Sequence, residues 1–375
     1  MGETWHVEGR ARFRVGNAFY RPGSQVARDL GVLAGAVYRQ ETGRLRVLEA
    51  MAGCGVRCLR YWLESQADSL WANEGNPDIG EILCENLAAP IEAGLARVTH
   101  HNANWVFFDC HNRRDYYDLV DVDSFGSPSP YLSTALWATK IGGLIYLTST
   151  DGRSATGRLP EGSLRAYGAY ARSHPAAREQ GLRLLIGSAQ QQAAAKGFGI
   201  EPVFSLQVGE TYRVMLRLVA AQLLTAENYG FLGYCHNCGE YQTISWRKLG
   251  RAICLRDEKP LTLSGPMWLG NLHDPEQLKQ MKELARQWNW PQRIQLLSAM
   301  EAEADFPPYF YTLAEIGRRG KMDIPKRELL MTALQNLGYR VSPTHIDPQA
   351  IKTDASLWDC IAAARVKAGN LRKSC

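Results

Sequence analysis

Short apolar runs alternate with helix-like stretches between residues 45 and 220, and this alternation is typical of a parallel α/β sheet. The pattern predicts strands at residues 45–50, 70–73, 117–122 and 144–148, and helices at residues 56–62 and 78–87. Near residue 200 the rhythm changes. Two further apolar runs, at residues 203–208 and 212–218, predict a hairpin turned by Gly209 and Glu210. We therefore expect a parallel sheet closed by antiparallel strands.

The chain has 375 residues, more than a single core usually organises, so two domains are expected. After residue 225 the alternation gives way to a Cys-x-x-Cys motif, a proline-rich patch and helical segments with recurrent lysine and arginine. We place the boundary there, giving domains of residues 1–224 and 225–375. The basic residues of the second domain fit either a nucleic-acid surface or an ordinary solvated one.

Composition excludes several classes of protein. With 45% hydrophobic and 22% charged residues, the chain is neither disordered nor fibrous. Its net charge of +5 permits an anionic partner without requiring one. The apolar runs are too short to cross a bilayer, and the first residues lack the features of a secretory signal. We expect a cytoplasmic protein without membrane association, whose nine cysteines are free thiols unless they bind metal.

A candidate nucleotide-binding loop follows the first strand. That strand ends close to an acid and runs into a small-residue loop with Gly53 and Gly55, directly before a helix. Glu74 follows the second strand, where a carboxylate can accept both hydroxyls of a ribose. The arrangement suits nicotinamide dehydrogenases as well as methyltransferases, and the glycines could simply form a tight turn. Because Cys58 stands where a strict Gly-x-Gly-x-x-Gly needs its last glycine, an adenosyl ligand without pyrophosphate is favoured.

The segment after the third strand contains a candidate methyl-acceptor site. Asp121 and Asp123 come at the end of this strand, and Phe125 follows two residues later. An exocyclic base amine is a poor nucleophile, and a carboxylate that accepts its N–H hydrogen bonds orients the lone pair and can take up a proton. An adjacent aromatic ring can stack on a base that has left its helix. The alternative is a turn rich in serine, proline and glycine with Phe125 buried.

Several segments in this order resemble the family of tRNA guanine-N2 dimethyltransferases that act on the guanine at position 26. The resemblance covers nearly the whole chain. It is carried by Phe19-Tyr-x-Pro22 with Arg28-Asp29, residues 55–60, Asp121-x-Asp123-x-Phe125-Gly-Ser-Pro128, residues 147–151, Tyr167-Gly168, residues 265–270 with His273-Asp274, and Thr344-His345 with residues 351–354. It implies a Rossmann-like S-adenosylmethionine-dependent methyltransferase domain at residues 1–224. Residues 225–375 would be a smaller α/β tRNA-binding domain.

The resemblance also implies roles for particular residues. Asp123 would engage the guanine amine as the catalytic residue, with the base enclosed between the rings of Phe19 and Phe125. The residues implied to bind S-adenosylmethionine are Arg28, Arg57, Glu74, Asn102 and Ala103. Asn102 stands where the family has an acid, and its amide oxygen can still accept a hydrogen bond from the adenine amino group. Asp109 is the alternative acid for that contact.

A metal site is possible but is not part of the prediction. Cys235 and Cys238 resemble half of a zinc knuckle, and Cys254 is a candidate third ligand. His236 and Asp257 are the conceivable fourth ligands. The alternative is a hairpin with free thiols.

The sequence thus predicts an enzyme with tRNA as its partner and implies no obligate protein partner. Two other hypotheses stay open. One is a methyltransferase for another exocyclic amine in RNA or DNA, or on a small molecule. The other is a non-catalytic RNA-binding module.

Overall fold

The computed structural model describes residues 4–371, with side chains up to residue 365. An antiparallel hairpin of β1 (Trp5–Glu8) and β2 (Ala11–Arg14) leads into the long helix α1 (Gln25–Thr42). Helix α1 ends at Gly43, whose φ of 77° is the left-handed conformation that glycine adopts at no steric cost. This N-terminal arm was not predicted as secondary structure.

A seven-stranded sheet forms the centre of the molecule, with strand order β5-β4-β3-β6-β7-β9-β8. Its strands are β3 (Arg46–Glu49), β4 (Ser69–Asn73), β5 (Ala96–Thr99), β6 (Tyr117–Val122), β7 (Thr139–Ser149), β8 (Gly199–Val208) and β9 (Thr211–Val219). Strands β3 to β7 pair in parallel, and β9 pairs antiparallel with both β7 and β8. The predicted Rossmann-like sheet with its closing hairpin is confirmed, although β5 was missed and β7 begins earlier than predicted.

Helices cover both faces of this sheet, and all six residues of β6 are therefore buried. They are α2 (Val56–Leu63), α3 (Gly80–Asn86), α4 (Ala88–Glu92), α5 (Ala103–Arg113), α6 (Ser129–Ala138), α7 (Gly152–Ala155), α8 (Pro160–Tyr167) and α9 (Ala177–Ala194). The strand order reverses between β3 and β6, so the carboxyl ends of these two strands border the crevice in which such sheets bind ligands.

The remainder of the chain contains two three-stranded sheets and five helices among the described residues. The elements are β10 (Tyr229–Tyr234), β11 (Tyr241–Ile244), β12 (Thr262–Trp268), α10 (Pro275–Gln287), α11 (Pro291–Glu303), β13 (Tyr311–Thr312), α12 (Leu313–Gly320), α13 (Arg327–Asn336), β14 (Val341–Pro343), β15 (Ala350–Thr353) and α14 (Leu357–Leu371). The sheet orders are β11-β10-β12 and β13-β15-β14. None of the helices within residues 4–371 is long and apolar enough to cross a membrane.

The two parts of the chain share buried apolar clusters. Leu184 of α9 and Met267 of β12 belong to one cluster, and Leu33 of α1 and Met281 of α10 belong to another. The domain boundary at residue 225 therefore stays a prediction based on the change in sequence character. In the folded chain, the second part packs on both α1 and α9 and supports the sheet that carries the candidate site.

Candidate active site

Two glycines shape the loop after β3. Gly53 and Gly55 have φ values of 53° and 80°, and Gly55 directly precedes α2. A Cβ atom at Gly55 would lie 2.6 Å from Cδ1 of Leu83, so a larger residue would push on this buried side chain as well as strain the backbone. The loop is therefore built around glycine for both conformation and space.

Glu74 is anchored beside this loop. Its Oε2 accepts a hydrogen bond from the backbone N–H of Gly53 at 2.8 Å, and its Oε1 accepts one from Asn76 at 2.9 Å. A carboxylate offers about four lone-pair sites, so both oxygens can accept a further donor. The backbone thus holds Glu74 in one orientation, and its contact with ribose hydroxyls stays a prediction.

Asn102 and Ala103 form the start of α5 next to Glu74. The side-chain oxygen of Asn102 accepts a hydrogen bond from the N–H of Asn104 at 2.9 Å and caps the helix, while Ala103 is buried in the first turn.

Asn73 links the start of α5 to the loop after β3, because its side-chain amide donates to the carbonyl groups of both Ala50 and His101. Three neighbouring loops are thereby linked at the carboxyl edge of the sheet. Asp109, the alternative acid, lies further along α5 and pairs with Arg113 at 3.3 Å.

Asp123 lies between two guanidinium groups. One oxygen accepts from Nη2 of Arg213 at 3.0 Å, and the other is hydrogen-bonded to Arg57. Burial alone would raise the pKa of Asp123, but Arg213 and Arg57 outweigh burial and lower that pKa to about 2. The side chain keeps 28% of its surface exposed. Asp123 is thus a carboxylate that is ionised at neutral pH and partly exposed at the end of β6.

Arg57 organises the acids beneath Asp123. It is buried, donates to Asp121 at 3.0 Å as well as to Asp123, and lies 3.8 Å from Glu49. Burial, followed by the charge of Asp121, raises the pKa of Glu49. The sequence implied that Arg57 contacts the cofactor, and the structure shows its guanidinium committed to these carboxylates. That cofactor contact stays a prediction.

Phe19 and Phe125 form an exposed aromatic pair beside Asp123. The two side chains are 65% and 73% exposed, and their ring centroids lie 5.0 Å apart in an edge-to-face arrangement. The interpretation of Phe125 as a buried turn residue is therefore wrong. Two large apolar rings that contact each other in water are informative, because such surface is normally covered by a ligand or partner.

Two backbone hydrogen bonds hold the segment that follows β6. The backbone N–H of Gly126 donates to Oγ1 of Thr150, and the N–H of Thr150 donates to the carbonyl of Gly126, both at 2.8 Å. These bonds hold the segment after β6 against the segment after β7. Phe125 therefore extends from a supported turn.

Arg28 lies in a buried ionic network instead of on the loop after β3. It donates to Glu8 through two hydrogen bonds and to the carbonyl of Arg21. Arg60 joins Glu8 and Asp29 in the same network at 2.8 and 2.7 Å. Among the hydrogen bonds of the described residues, none from Arg28 reaches the loop after β3. Its contact with a cofactor stays a prediction, and its hydrogen bonds to Glu8 and Arg21 fasten the N-terminal arm that carries Phe19.

Arg213 was missed by the sequence reasoning. It lies on β9 and is nearly fully buried, and its Nε and Nη1 atoms have no hydrogen-bond partner within the described part of the chain. An arginine within a largely apolar strand was the available signal. Tyr61 was also missed, and its hydroxyl donates to Asp121 at 3.1 Å.

The chain matches the family of N2,N2-dimethylguanosine tRNA methyltransferases over residues 5–364. The chain belongs to this family. The resemblance inferred from the sequence motifs is therefore confirmed across nearly the full length.

Individual members of the dimethyltransferase family are similar over most of their length. The tRNA (guanine(26)-N(2))-dimethyltransferase of Pyrococcus abyssi is 29% identical, with 93% of this chain and 95% of the relative covered. The enzyme of the same name from Pyrobaculum arsenaticum is 32% identical, with 93% and 91% covered. Trm1 from Pyrococcus horikoshii, solved in complex with S-adenosyl-L-methionine, superposes with a TM-score of 0.84 at 27% identity, covering 96% of this chain and 99% of that one.

This family member also contains a compact cysteine cluster outside the active site. Cys235, Cys238, Cys254 and Asp257 offer ligand atoms that all lie within 4.8 Å of one another. The Sγ atoms of Cys238 and Cys254 are 3.4 Å apart, and an oxygen of Asp257 lies 3.4 Å from Sγ of Cys235. The ring of His236 packs on Tyr234 instead. Three thiols and a carboxylate suit a closed zinc site, so of the two conceivable fourth ligands the geometry favours Asp257.

Proposed function

We propose that the protein transfers methyl groups from S-adenosylmethionine to the N2 amine of guanine 26 in tRNA, giving N2-methylguanine and N2,N2-dimethylguanine. Family membership and the names of the relatives support this activity. The structural observation that carries it is the Asp123 carboxylate beside the exposed rings of Phe19 and Phe125. These groups lie at the edge of the sheet where Rossmann-like enzymes bind ligands.

The residues present fit the cofactor. Glu74 would accept the ribose hydroxyls, Asn102 and Ala103 would border the adenine, and the loop after β3 leaves room for close backbone approach around Gly53. Apart from its two chain neighbours, the carbonyl oxygen of Phe19, at 3.6 Å, is the single atom of the described residues within 4 Å of a Cβ built on Gly53. When bound, S-adenosylmethionine supplies an activated methyl group on a sulfonium. The protein then has to position, desolvate and deprotonate the acceptor.

The role of Asp123 follows from its charge. Because Arg57 and Arg213 keep its pKa near 2, the carboxylate remains ionised and accepts hydrogen bonds from the N2 amine. Positive charge develops on that nitrogen as the methyl group arrives, and a fixed negative charge next to it stabilises the transition state. A methylated aromatic ammonium is a strong acid, so even this weakly basic carboxylate can take up the released proton. Charge stabilisation is therefore the main contribution, and proton uptake follows it.

The aromatic pair would hold the base. A guanine that has left the tRNA helix can stack on rings as exposed as Phe19 and Phe125, and stacking contributes about 1–3 kcal/mol per base. Because the rings are exposed, a monomethylated amine can turn within the site and receive a second methyl group. We also propose that residues 225–375 contact the tRNA backbone and that the protein acts in the cytoplasm, where tRNA would be its partner.

The activity is tested with purified protein, labelled S-adenosylmethionine and unmodified tRNA. We expect both N2-methylguanine and N2,N2-dimethylguanine in the nucleoside digest. A matched tRNA with adenine at position 26 should receive no label. Label in another base, or equal label in the adenine-26 tRNA, would favour a methyltransferase for a different exocyclic amine. Cofactor binding without transfer to any tRNA would overturn the proposal.

A further inference from the structure

A small polar cleft opens on the same edge of the sheet as Asp123. Its volume is about 140 Å³, and it is lined by the segment after β7, the start of α9 and the hairpin between β8 and β9. The cleft lies at this edge because Ser149, at the carboxyl end of β7, pairs with Tyr212 at the start of β9. Ligand pockets for whole small molecules are usually at least about 300 Å³, so this cleft suits a single small group.

Two unpaired arginines face the cleft. Arg158 and Arg178 are exposed, and among the side chains described, up to residue 365, neither guanidinium makes an ion pair or a side-chain hydrogen bond. Arg183 on the same helix as Arg178 is different, since it is buried and pairs with Glu179 at 2.7 Å. Unpaired guanidinium groups that converge on one cleft are suited to bidentate binding of a phosphate.

A close backbone contact between Gly157 and Arg172 shapes this cleft. Gly157 has a φ of 73°, and a Cβ atom there would lie 2.4 Å from the carbonyl carbon of Arg172. Only glycine at position 157 lets this segment approach the backbone of Arg172 and Ser173 so closely. The contact brings Arg158 next to Ser173. The segment of Arg158 begins at Thr150, which is hydrogen-bonded to Gly126 in the catalytic turn. The cleft is therefore structurally joined to the segment that carries Phe125.

One acidic side chain in the cleft would repel a bound anion. Glu210 lines the cleft, and its Oε2 lies against Gly152, only 2.2 Å from where a Cβ would be. His174 adds no charge, because it is hydrogen-bonded to Gln180 and Tyr241 and burial lowers its pKa to about 4. Two arginines against one carboxylate leave the cleft with a net positive charge.

We propose that this cleft binds a backbone phosphate of the tRNA close to the target nucleotide. This inference rests on the proposed function, and it locates the binding site of one tRNA phosphate in the cleft. An enzyme that takes a base out of a helix must hold the flanking backbone, and phosphate contacts set that register. Arg158 and Arg178 provide this contact from the cleft, whose first segment is hydrogen-bonded through Thr150 to Gly126.

The test compares a double variant, Arg158→Gln with Arg178→Gln, with a control of equal charge change, Arg113→Gln with Arg114→Gln. The control residues lie at the end of α5, beyond the opposite edge of the sheet. Binding of unmodified tRNA is measured over a range of salt concentrations, together with affinity for S-adenosylmethionine and steady-state kinetics. Thermal unfolding checks that all variants are folded.

We expect the cleft variant to bind tRNA roughly 10- to 100-fold more weakly at low salt, as for loss of charge-assisted hydrogen bonds. The slope of log tRNA affinity against log salt concentration should become shallower by about the value of one phosphate contact. The KM for tRNA should rise, while kcat and the affinity for S-adenosylmethionine should stay unchanged. Glu210→Gln should bind tRNA more tightly than wild type. Unchanged tRNA affinity and salt slope in the cleft variant would overturn the inference. Failure of the wild type to methylate any tRNA would instead overturn the proposed function.

Discussion

Replacing Asp123 by asparagine tests the electrostatic account of the site, because asparagine keeps the shape and removes the charge. The pKa of this carboxyl falls from an ordinary 3.8 to about 2 in the folded protein. That difference corresponds to about 2 kcal/mol of stabilisation of the ionised form. The side chain is mostly buried, so solvent screening removes little of it. Asp123→Asn should therefore lower the free energy of unfolding by about 2 kcal/mol at pH 7.

The pH dependence has a definite sign. Because the folded-state pKa lies below the unfolded one, the stabilisation is fully present above pH 4 and is lost as the pH falls towards 2. The difference between wild type and variant should stay near 2 kcal/mol from pH 7 to pH 5 and shrink below pH 4. Denaturant unfolding of both proteins at a series of pH values measures it. Methyl transfer at saturating substrates should fall by about 10²- to 10³-fold, the usual effect of removing one preorganised group that stabilises charge in the transition state.

Asp109→Asn is the matched control for this experiment. Asp109 belongs to a surface pair with Arg113, and such pairs contribute at most about 1 kcal/mol. The control should keep its activity and lose little stability. If Asp123→Asn is as stable as wild type at pH 7, or methylates at a similar rate, the picture of a carboxylate held ionised by Arg57 and Arg213 is incorrect.

Three further outcomes follow from the geometry. Glu74→Ala should weaken S-adenosylmethionine binding by about 10- to 100-fold in calorimetry while largely sparing turnover at saturating cofactor, and an equal loss of both would contradict its assignment to the ribose. Gly55→Ala should destabilise the protein by more than about 1 kcal/mol in thermal unfolding, since its φ is 80° and its Cβ would meet Leu83. Gly43→Ala, with a φ of 77° and open space around it, isolates the backbone contribution and should cost less. Cys254→Ser should reduce the zinc content found by elemental analysis, and an unchanged content would exclude this thiol as a ligand.

Much of this protein was evident from local sequence. The apolar runs that became β3, β4, β6 and the β8–β9 hairpin could be recognised because strand formation and turn chemistry depend on neighbouring residues. Asp123, Phe125 and Glu74 could be singled out because polar or aromatic residues directly after buried strands come together at one edge of a parallel sheet.

Other features depend on the tertiary structure. Arg213 reaches Asp123 only because β9 returns antiparallel beside β7, a pairing between residues far apart in sequence. The choice of Asp257 over His236 in the cysteine cluster depends in the same way on where separate loops meet. Sequence patterns report which residues each segment exposes or buries, whereas the charge that sets the pKa of Asp123 comes from side chains brought within 3 Å by packing. The candidate chemistry was therefore determined by the sequence, and its electrostatic tuning was decided by the fold.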